Sequence, residues 1–95
     1  MSIKATEEAI EEIKNRYRSL DRGFRIMING FGWGGPVFGI AQDEQTEEDY
    51  VEMIEGIKFY VHEDLKDQFG LFTVDFMSNF FRKSFIVSAS NISSC

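Results

Sequence analysis

Apolar residues recur at helical spacing near the start of the chain and at a spacing of two from residue 24 onward. Thr6 is followed by two glutamates, which is typical of a helix start because a hydroxyl and acidic side chains both stabilise free backbone N–H groups. Gly23 suits the position after a helix end. The pattern predicts an amphipathic helix over residues 6–20, with an apolar face of Ala9, Ile10, Ile13, Tyr17 and Leu20.

The rest of the chain is predicted to form short strands. Alternation of apolar and polar residues is typical of strands that bury one face. Glu55-Gly56 separates two of these runs and predicts a tight hairpin, and residues 64–69 are expected to form one helical turn before Gly70. The predicted strands are 24–29, 37–41, 50–54, 57–61, 72–76 and 85–89.

One helix followed by short strands predicts a mainly β fold, a β-sandwich or partly closed barrel with one N-terminal amphipathic helix. A chain of 95 residues is expected to be a single domain, residues 1–95, because two cores need about twice this length. Within it we expect the helix over about 6–20, the strands over about 24–89 and a mobile tail over about 90–95.

Charge and cysteine content narrow the function further. The net charge is −6, which disfavours a nucleic-acid partner because neutralising phosphates requires a basic face. No apolar run approaches the length that spans a bilayer, so no membrane partner is expected. A single cysteine excludes an internal disulfide framework and fits a reducing compartment, which predicts a cytoplasmic protein.

The segment Gly30-Phe31-Gly32-Trp33-Gly34-Gly35 is the strongest local signal. A dinucleotide-binding loop would require a following helix, and Pro36 with a strand-like run follows instead. Two interpretations remain. Either this is a tight connection with Trp33 plugging a small core, or it presents Phe31 and Trp33 to a partner, since aromatic anchors dominate interface energetics.

The order of motifs along nearly the whole chain resembles the HesB-like, A-type iron–sulfur carrier family. The matching pieces are Thr6-x-x-Ala9-x-x-x-Ile13, Phe24-Arg25-Ile26, Gly32 to Gly39, Gly56-Ile57-x-Phe59-x-Val61, Val74-Asp75-Phe76 and Phe85-Ile86-Val87. The resemblance implies that family's fold. Cluster-carrying members have one cysteine in the glycine loop and two in a C-terminal Cys-Gly-Cys, whereas this chain has Trp33 in the loop and only Cys95 at the end. The resemblance therefore indicates a degenerate member.

These departures favour a non-catalytic, accessory or regulatory protein-interaction module related to iron–sulfur cluster or sulfur metabolism, without a stable cluster or other cofactor of its own. Its expected partners are iron–sulfur assembly or sulfur-transfer proteins, and a homodimer is an option. One alternative is an iron or iron–sulfur carrier that uses Cys95 across a homodimer. Another is a single-thiol sulfur acceptor at Cys95, although the chain's own α-carboxylate and acidic surface disfavour the thiolate there.

No set of residues has the spacing of a catalytic site, so we expect no enzyme activity. His62 is predicted to face solvent, and Asp75 is predicted to be an outward-facing charge that could orient a group across the sheet. The acids between Asp43 and Glu55 match no calcium loop and are expected to form a solvated hairpin loop, or else a docking face for a basic partner.

Phe80 and Phe81 precede Arg82 and Lys83 and are further candidates for partner binding. Because Phe76 and Phe85 already fill the alternating face, we expect at least one of the two rings to be exposed. The alternative is a loop that folds back on the core.

Overall fold

A computed structural model describes residues 2–90, which form one seven-stranded sheet and two helices. In chain order the elements are β1 (Ile3–Ala5), α1 (Glu7–Arg16), β2 (Gly23–Gly32), β3 (Gly35–Asp43), β4 (Asp49–Ile54), β5 (Ile57–His62), α2 (Glu63–Phe69), β6 (Phe72–Ser78) and β7 (Lys83–Ala89). The strand order is β1-β6-β7-β3-β2-β5-β4, in which β1 pairs with β6 and β2 with β5 in parallel, and the other pairs are antiparallel.

The sheet curls until its two edge strands, β1 and β4, approach each other. The Glu52 carboxylate on β4 accepts hydrogen bonds from the backbone N–H groups of Ser2 at 3.1 Å and Ile3 at 3.3 Å. In a fully closed barrel, backbone hydrogen bonds would join these two edge strands. Here the Glu52 side chain bridges the gap between β1 and β4, which we call the seam. The prediction of a mainly β, partly closed barrel is confirmed.

The core lies between the concave face of the sheet and α1. The alternating runs bury one face as predicted: Phe24 and Ile26 on β2 are fully buried, and so are Phe72 and Val74 on β6. The helix contributes its predicted apolar face from Ala9 to Ile13. Thr6 caps that helix, since its hydroxyl accepts the Ala9 N–H at 3.2 Å.

The helix ends earlier than its apolar spacing predicts. It stops at Arg16, and Tyr17 has an extended backbone with φ −106° and ψ 125°. The Tyr17 ring then meets the Phe24 ring edge-on with centroids 4.9 Å apart, and Leu20 still packs on the core from an irregular segment. Core contacts at 17 and 20 therefore do not require a helix there, and the predicted end at 20 is wrong.

Three other segments complete the comparison with the sequence. The hairpin at Glu55-Gly56 is confirmed, and its turn residues have φ of +49° and +83°, as a tight hairpin turn requires. The helical turn before Gly70 is α2, which has seven residues. The strand β1 was not predicted, because three residues are too short for a periodicity to register.

Within residues 2–90, no helix is both long and apolar enough to cross a bilayer. At the other end of the described chain, Ser90 exchanges hydrogen bonds with Leu71, donating its N–H at 2.8 Å and accepting at its hydroxyl at 2.9 Å. Ser90 is therefore fixed, although it is the first residue of the predicted tail. The remainder of that tail, including Cys95, lies outside the described residues.

Candidate functional site

The glycine-rich segment forms the end of the β2–β3 hairpin. Gly32 pairs with Gly35 and Phe31 with Pro36, so Trp33-Gly34 is a two-residue turn. The register shifts by one between Ile28 and Phe31, where Gly30 has φ +106°, a conformation that other residues rarely adopt. We call residues 28–37 the Trp33 arm.

The Trp33 arm extends beyond its neighbouring strands. β5 pairs with β2 only from Phe24 to Ile26, and β7 pairs with β3 at Phe38, so neither strand accompanies the hairpin to its turn. Trp33 is consequently fully exposed at 108% of its reference area, and Phe31 is 78% exposed. The interpretation of Trp33 as a core plug is wrong, because no layer of the fold lies beside the turn.

Two glycines of the arm are not required by the fold. A Cβ at Gly34 would meet no atom within 4 Å, and one at Gly32 would meet only a Val37 methyl at an ordinary 3.6 Å. Neither residue has a positive φ. Glycine lowers the stability of a strand because it loses more conformational entropy on folding than other residues. At these two positions it therefore does not stabilise the fold, and its effect is to leave backbone without side chains beside the exposed indole.

The arm also carries no charge. From Ile26 to Gln42 the sequence contains no acidic or basic residue, in a chain with a net charge of −6. An uncharged surface with exposed aromatic side chains resembles the centre of protein interfaces, where charged residues are depleted and Trp, Tyr and Phe enriched. Phe31 and Trp33 are both exposed on this uncharged arm.

The arm does not fit an iron–sulfur cluster. Clusters are held by cysteine thiolates, and the indole at Trp33 offers iron no comparable donor. No three His, Cys, Asp or Glu side chains among residues 2–90 come together as a metal site. Cys95, the other candidate for binding iron or a cluster, lies outside the described residues.

A site that the sequence did not reveal centres on Arg25 of β2. Its guanidinium donates to the Asp43 carboxylate at 2.8 Å, to Asp49 at 2.7 Å and to the Glu44 carbonyl at 2.8 Å. The Asp49 side chain is fully buried. The hydrogen bond from Arg25 lowers the pKa of Asp49 to about 2, because it outweighs burial, which alone would raise that pKa. The same contacts raise the Arg25 pKa and lower that of Asp43.

These contacts revise the prediction for the acidic run. β3 and β4 are not neighbours in the sheet, so the residues between them form a crossing over β2 and β5 instead of a hairpin loop. Asp43 and Asp49 anchor the two ends of that crossing to Arg25, whereas Glu44, Glu47 and Glu48 remain exposed. The only sequence signal was that Arg25 is the last cation before Lys58.

His62 and Asp75 both have structural hydrogen bonds. His62 is partly exposed and caps α2, since its Nδ1 accepts the Asp64 N–H at 3.1 Å, and its Nε2 lies 3.2 Å from Glu48. Asp75 is exposed and accepts the Thr6 hydroxyl at 2.8 Å, which ties the helix cap to β6. Neither is paired with a nucleophile among the described contacts.

The β6–β7 turn, residues 79–82, carries the second pair of candidates. Phe80 and Phe81 are 97% and 96% exposed, so both rings face solvent and the loop does not fold back on the core. β3 and β7 are antiparallel, with Phe38 opposite Val87. The β6–β7 turn and the Trp33 arm therefore lie at opposite ends of the sheet and form two separate surfaces.

Comparison with solved structures identifies the fold. IscA with a [2Fe-2S] cluster superposes with a TM-score of 0.74 at 18% identity, covering 94% of this chain and 83% of that one. Escherichia coli SufA, involved in biosynthesis of iron–sulfur clusters, superposes with a TM-score of 0.69 at 17% sequence identity, covering 94% of this chain and 86% of SufA. A protein from Aquifex aeolicus superposes with a TM-score of 0.70 at 22% sequence identity, covering 95% of this chain and 93% of that protein.

At the level of sequence, no protein-family model matches this chain and no curated protein matches it significantly. The structural likeness at this low identity concerns the fold, and it extends over nearly the whole length of the chain. The chain has the HesB-like fold of the A-type iron–sulfur assembly proteins, as the order of its sequence motifs implied.

Proposed function

We propose that this protein is a non-catalytic accessory module of iron–sulfur cluster or sulfur metabolism, which holds no stable cluster and binds a protein partner through the Trp33 arm. The exposure of Trp33 at the end of an uncharged hairpin is the observation that carries this proposal. The link to iron–sulfur chemistry comes from the neighbours, whose names describe a bound cluster and cluster biosynthesis.

The physical basis of binding is the burial of Trp33 and Phe31 against a partner. Each aromatic side chain buries about 150–250 Å² when covered, and a few such anchors supply most of the energy of a protein interface. The smooth backbone at Gly32 and Gly34 lets a partner approach the hairpin closely on the side without side chains. We also propose a cytoplasmic location, because the single cysteine fits a reducing compartment.

Affinity capture from the native cell extract tests the partner. We expect iron–sulfur assembly or sulfur-transfer proteins to be recovered with the wild type and lost with Trp33→Ser. Met53→Ser is the matched control, because Met53 is also an exposed apolar residue, at 58%, but lies on β4. Equal recovery of the same proteins by the wild type and Trp33→Ser would contradict binding through the arm.

Anaerobic reconstitution with iron and sulfide tests the absence of a stable cluster. We expect iron well below one per chain and no cluster absorbance, because one thiolate per chain cannot replace a three-cysteine set. A stoichiometric cluster that disappears in Cys95→Ser would overturn the proposal in favour of a carrier that uses Cys95 across a dimer.

A further inference from the structure

The charges of this chain are distributed unevenly over the molecule. Five of the ten basic residues lie in two segments. The last residue of α1 and the segment after it carry Arg16, Arg18 and Arg22, and the end of the β6–β7 turn and the start of β7 carry Arg82 and Lys83. The Arg16 guanidinium lies 5.3 Å from the Phe85 ring, and Gln42 at the end of β3 binds the Ser19 and Arg22 carbonyls. These contacts bring the two basic segments to one end of the sheet.

We call this region the basic end: residues 16–22 and 79–83. Its acids are few. Glu12 pairs with Arg16 at 2.7 Å, Asp21 lies in the segment itself, and nearby Asp43 is bound by Arg25. The exposed acids Glu44, Glu47 and Glu48 lie on the crossing from β3 toward β4. Glu44 directly follows Asp43, whereas Glu48 lies at the end of β5, 3.2 Å from His62.

The β6–β7 turn presents its two phenylalanines from a rigid support. The Asn79 side-chain oxygen accepts the N–H groups of Phe81 and Arg82, both at 2.9 Å, and the Asn79 N–H donates to the Arg82 carbonyl at 2.9 Å. Three of the four backbone N–H groups of the turn are therefore bonded within it. The turn can enter an apolar phase with little cost from unpaired N–H groups.

From this combination we infer that the basic end is a docking site for an anionic lipid surface, with Phe80 and Phe81 inserted among the acyl chains and Arg82 and Lys83 at the headgroups. Exposed aromatic rings flanked by cations are the arrangement with which peripheral proteins bind such interfaces. Each cation near an anionic bilayer contributes through the surface potential, and each ring contributes through its buried area.

The net charge of −6 does not oppose this docking. The molecule measures 40 × 39 × 20 Å, whereas the Debye length at physiological salt is about 8 Å. Acids that lie farther than this from the turn are therefore largely screened from a surface that contacts the basic end, and Asp43, which lies close to it, is paired with Arg25. The expectation of no membrane partner rested on the absence of a spanning apolar run, which does not bear on docking at a lipid surface.

A bilayer fits the turn better than other anionic partners. Both rings project from the turn almost fully exposed, with their centroids 5.9 Å apart. A nucleic acid would require bases to stack on the rings, and an acidic protein would require a pocket that matches the tip. A fluid lipid surface adapts to projecting rings without such a match.

Sedimentation with vesicles tests the inference. We expect the wild type to bind vesicles of mixed phosphatidylcholine and phosphatidylglycerol, to bind pure phosphatidylcholine at least tenfold more weakly, and to dissociate at high salt. Phe80→Ser/Phe81→Ser should weaken binding at least tenfold. Because both side chains are exposed, this variant should retain the wild-type melting temperature.

Charge-reversal variants separate the local effect from the net charge. Arg82→Glu/Lys83→Glu should abolish binding at low salt. Lys4→Glu/Lys66→Glu changes the net charge equally but places the reversal on β1 and α2, away from the basic end, and should retain binding. Equal losses in the two variants would overturn docking through this end.

Trp33 provides an internal reporter because it is the only tryptophan and lies at the opposite end of the sheet. Its emission should stay that of an exposed indole while the protein is bound. A blue shift on vesicle binding would show that the Trp33 arm inserts instead, and would overturn the inference. Failure to bind vesicles would likewise overturn it, as would binding of single-stranded oligonucleotides alone. Neither outcome bears on the proposed protein partner of the arm.

Discussion

Two aromatic residues of this chain lie at opposite extremes of exposure. Trp33 is fully exposed at 108%, whereas Phe59 on β5 is fully buried at 0% and packs near Phe24, with ring centroids 6.3 Å apart. Truncating a buried aromatic side chain costs its transfer energy and leaves a cavity, and truncating an exposed one costs neither. Substitution of Phe59 should therefore change the stability of the fold, whereas substitution of Trp33 should change only the binding properties of the surface.

We expect Trp33→Ala to change the melting temperature by no more than a few degrees. Phe59→Ala, as its counterpart, should lose about 3–5 kcal/mol and lower the melting temperature by more than about 15 °C or prevent cooperative folding. Thermal unfolding followed by circular dichroism measures both. If Trp33→Ala alone melted about 15 °C lower, the indole would belong to the core and the arm would lose its role as a free surface.

The burial of Phe24, Ile26 and Val74 could be predicted from the sequence because a spacing of two assigns each residue to one face of a strand. The exposure of Trp33 could not, since it depends on how far β2 and β3 extend beyond β5 and β7. The ion pairs of Arg25 could not be predicted for a similar reason. Its partners are 18 and 24 residues away, and only the three-dimensional path of the chain brings them to it.

Among the elements, the crossing between β3 and β4 depends most on a single interaction. Arg25 holds both ends of this crossing through Asp43 and Asp49, and the Asp49 carboxylate also accepts the Thr46 N–H at 2.7 Å. A buried charge of this kind stabilises the native state only while it remains ionised and paired. The position of β4 at the sheet edge is thus linked to pH.

The pH dependence follows from the pKa of Asp49, which is lowered from 3.8 to about 2. The contribution of this pair is fully present above about pH 4 and is lost as the pH falls toward 2, amounting to about 2–3 kcal/mol. Urea unfolding of wild type and Asp49→Asn between pH 7 and pH 2 should show a stability difference that narrows by this amount in acid. A difference that is independent of pH would refute the role of the ion pair.

The boundaries of elements were harder to predict than their existence. The strands from β2 to β7 follow from alternation and from the glycines at their turns, yet α1 ends four residues before the predicted position. Tyr17 and Leu20 satisfy the helical period and also reach the core from an extended segment, so the pattern alone cannot distinguish the two. β1 is recognisable only through its parallel partner β6, which comes much later in the chain.

At the scale of the whole molecule, the seam between β1 and β4 decides whether the sheet behaves as a barrel. Glu52 bridges the seam by accepting from the Ser2 and Ile3 N–H groups and from the Tyr50 hydroxyl, which lies at 2.6 Å. Burial alone would raise the pKa of Glu52, but these hydrogen bonds together lower it. The carboxylate therefore remains ionised at neutral pH and keeps the two edges joined.

We expect Glu52→Ala to lower the free energy of unfolding by about 1–3 kcal/mol, because the Ile3 N–H is left without its partner. Glu52→Gln is the conservative comparison, since its amide oxygen can still accept from both N–H groups. Hydrogen exchange of the Ile3 amide should accelerate strongly in the alanine variant and weakly in the glutamine variant. Unchanged exchange in Glu52→Ala would show that the seam is closed by packing alone.

The parallel pairing of β1 with β6 also has a consequence for biosynthesis. Ile3 lies opposite Phe72, so the first strand to be synthesised must wait for a partner 69 residues later. At about 5–20 residues per second, the ribosome takes roughly 3–14 s to supply it. During that interval α1 also lacks β6, the strand to which Asp75 ties its cap. The N-terminal strand and helix are therefore made first and docked late, and they are the segments we expect a nascent-chain chaperone to protect.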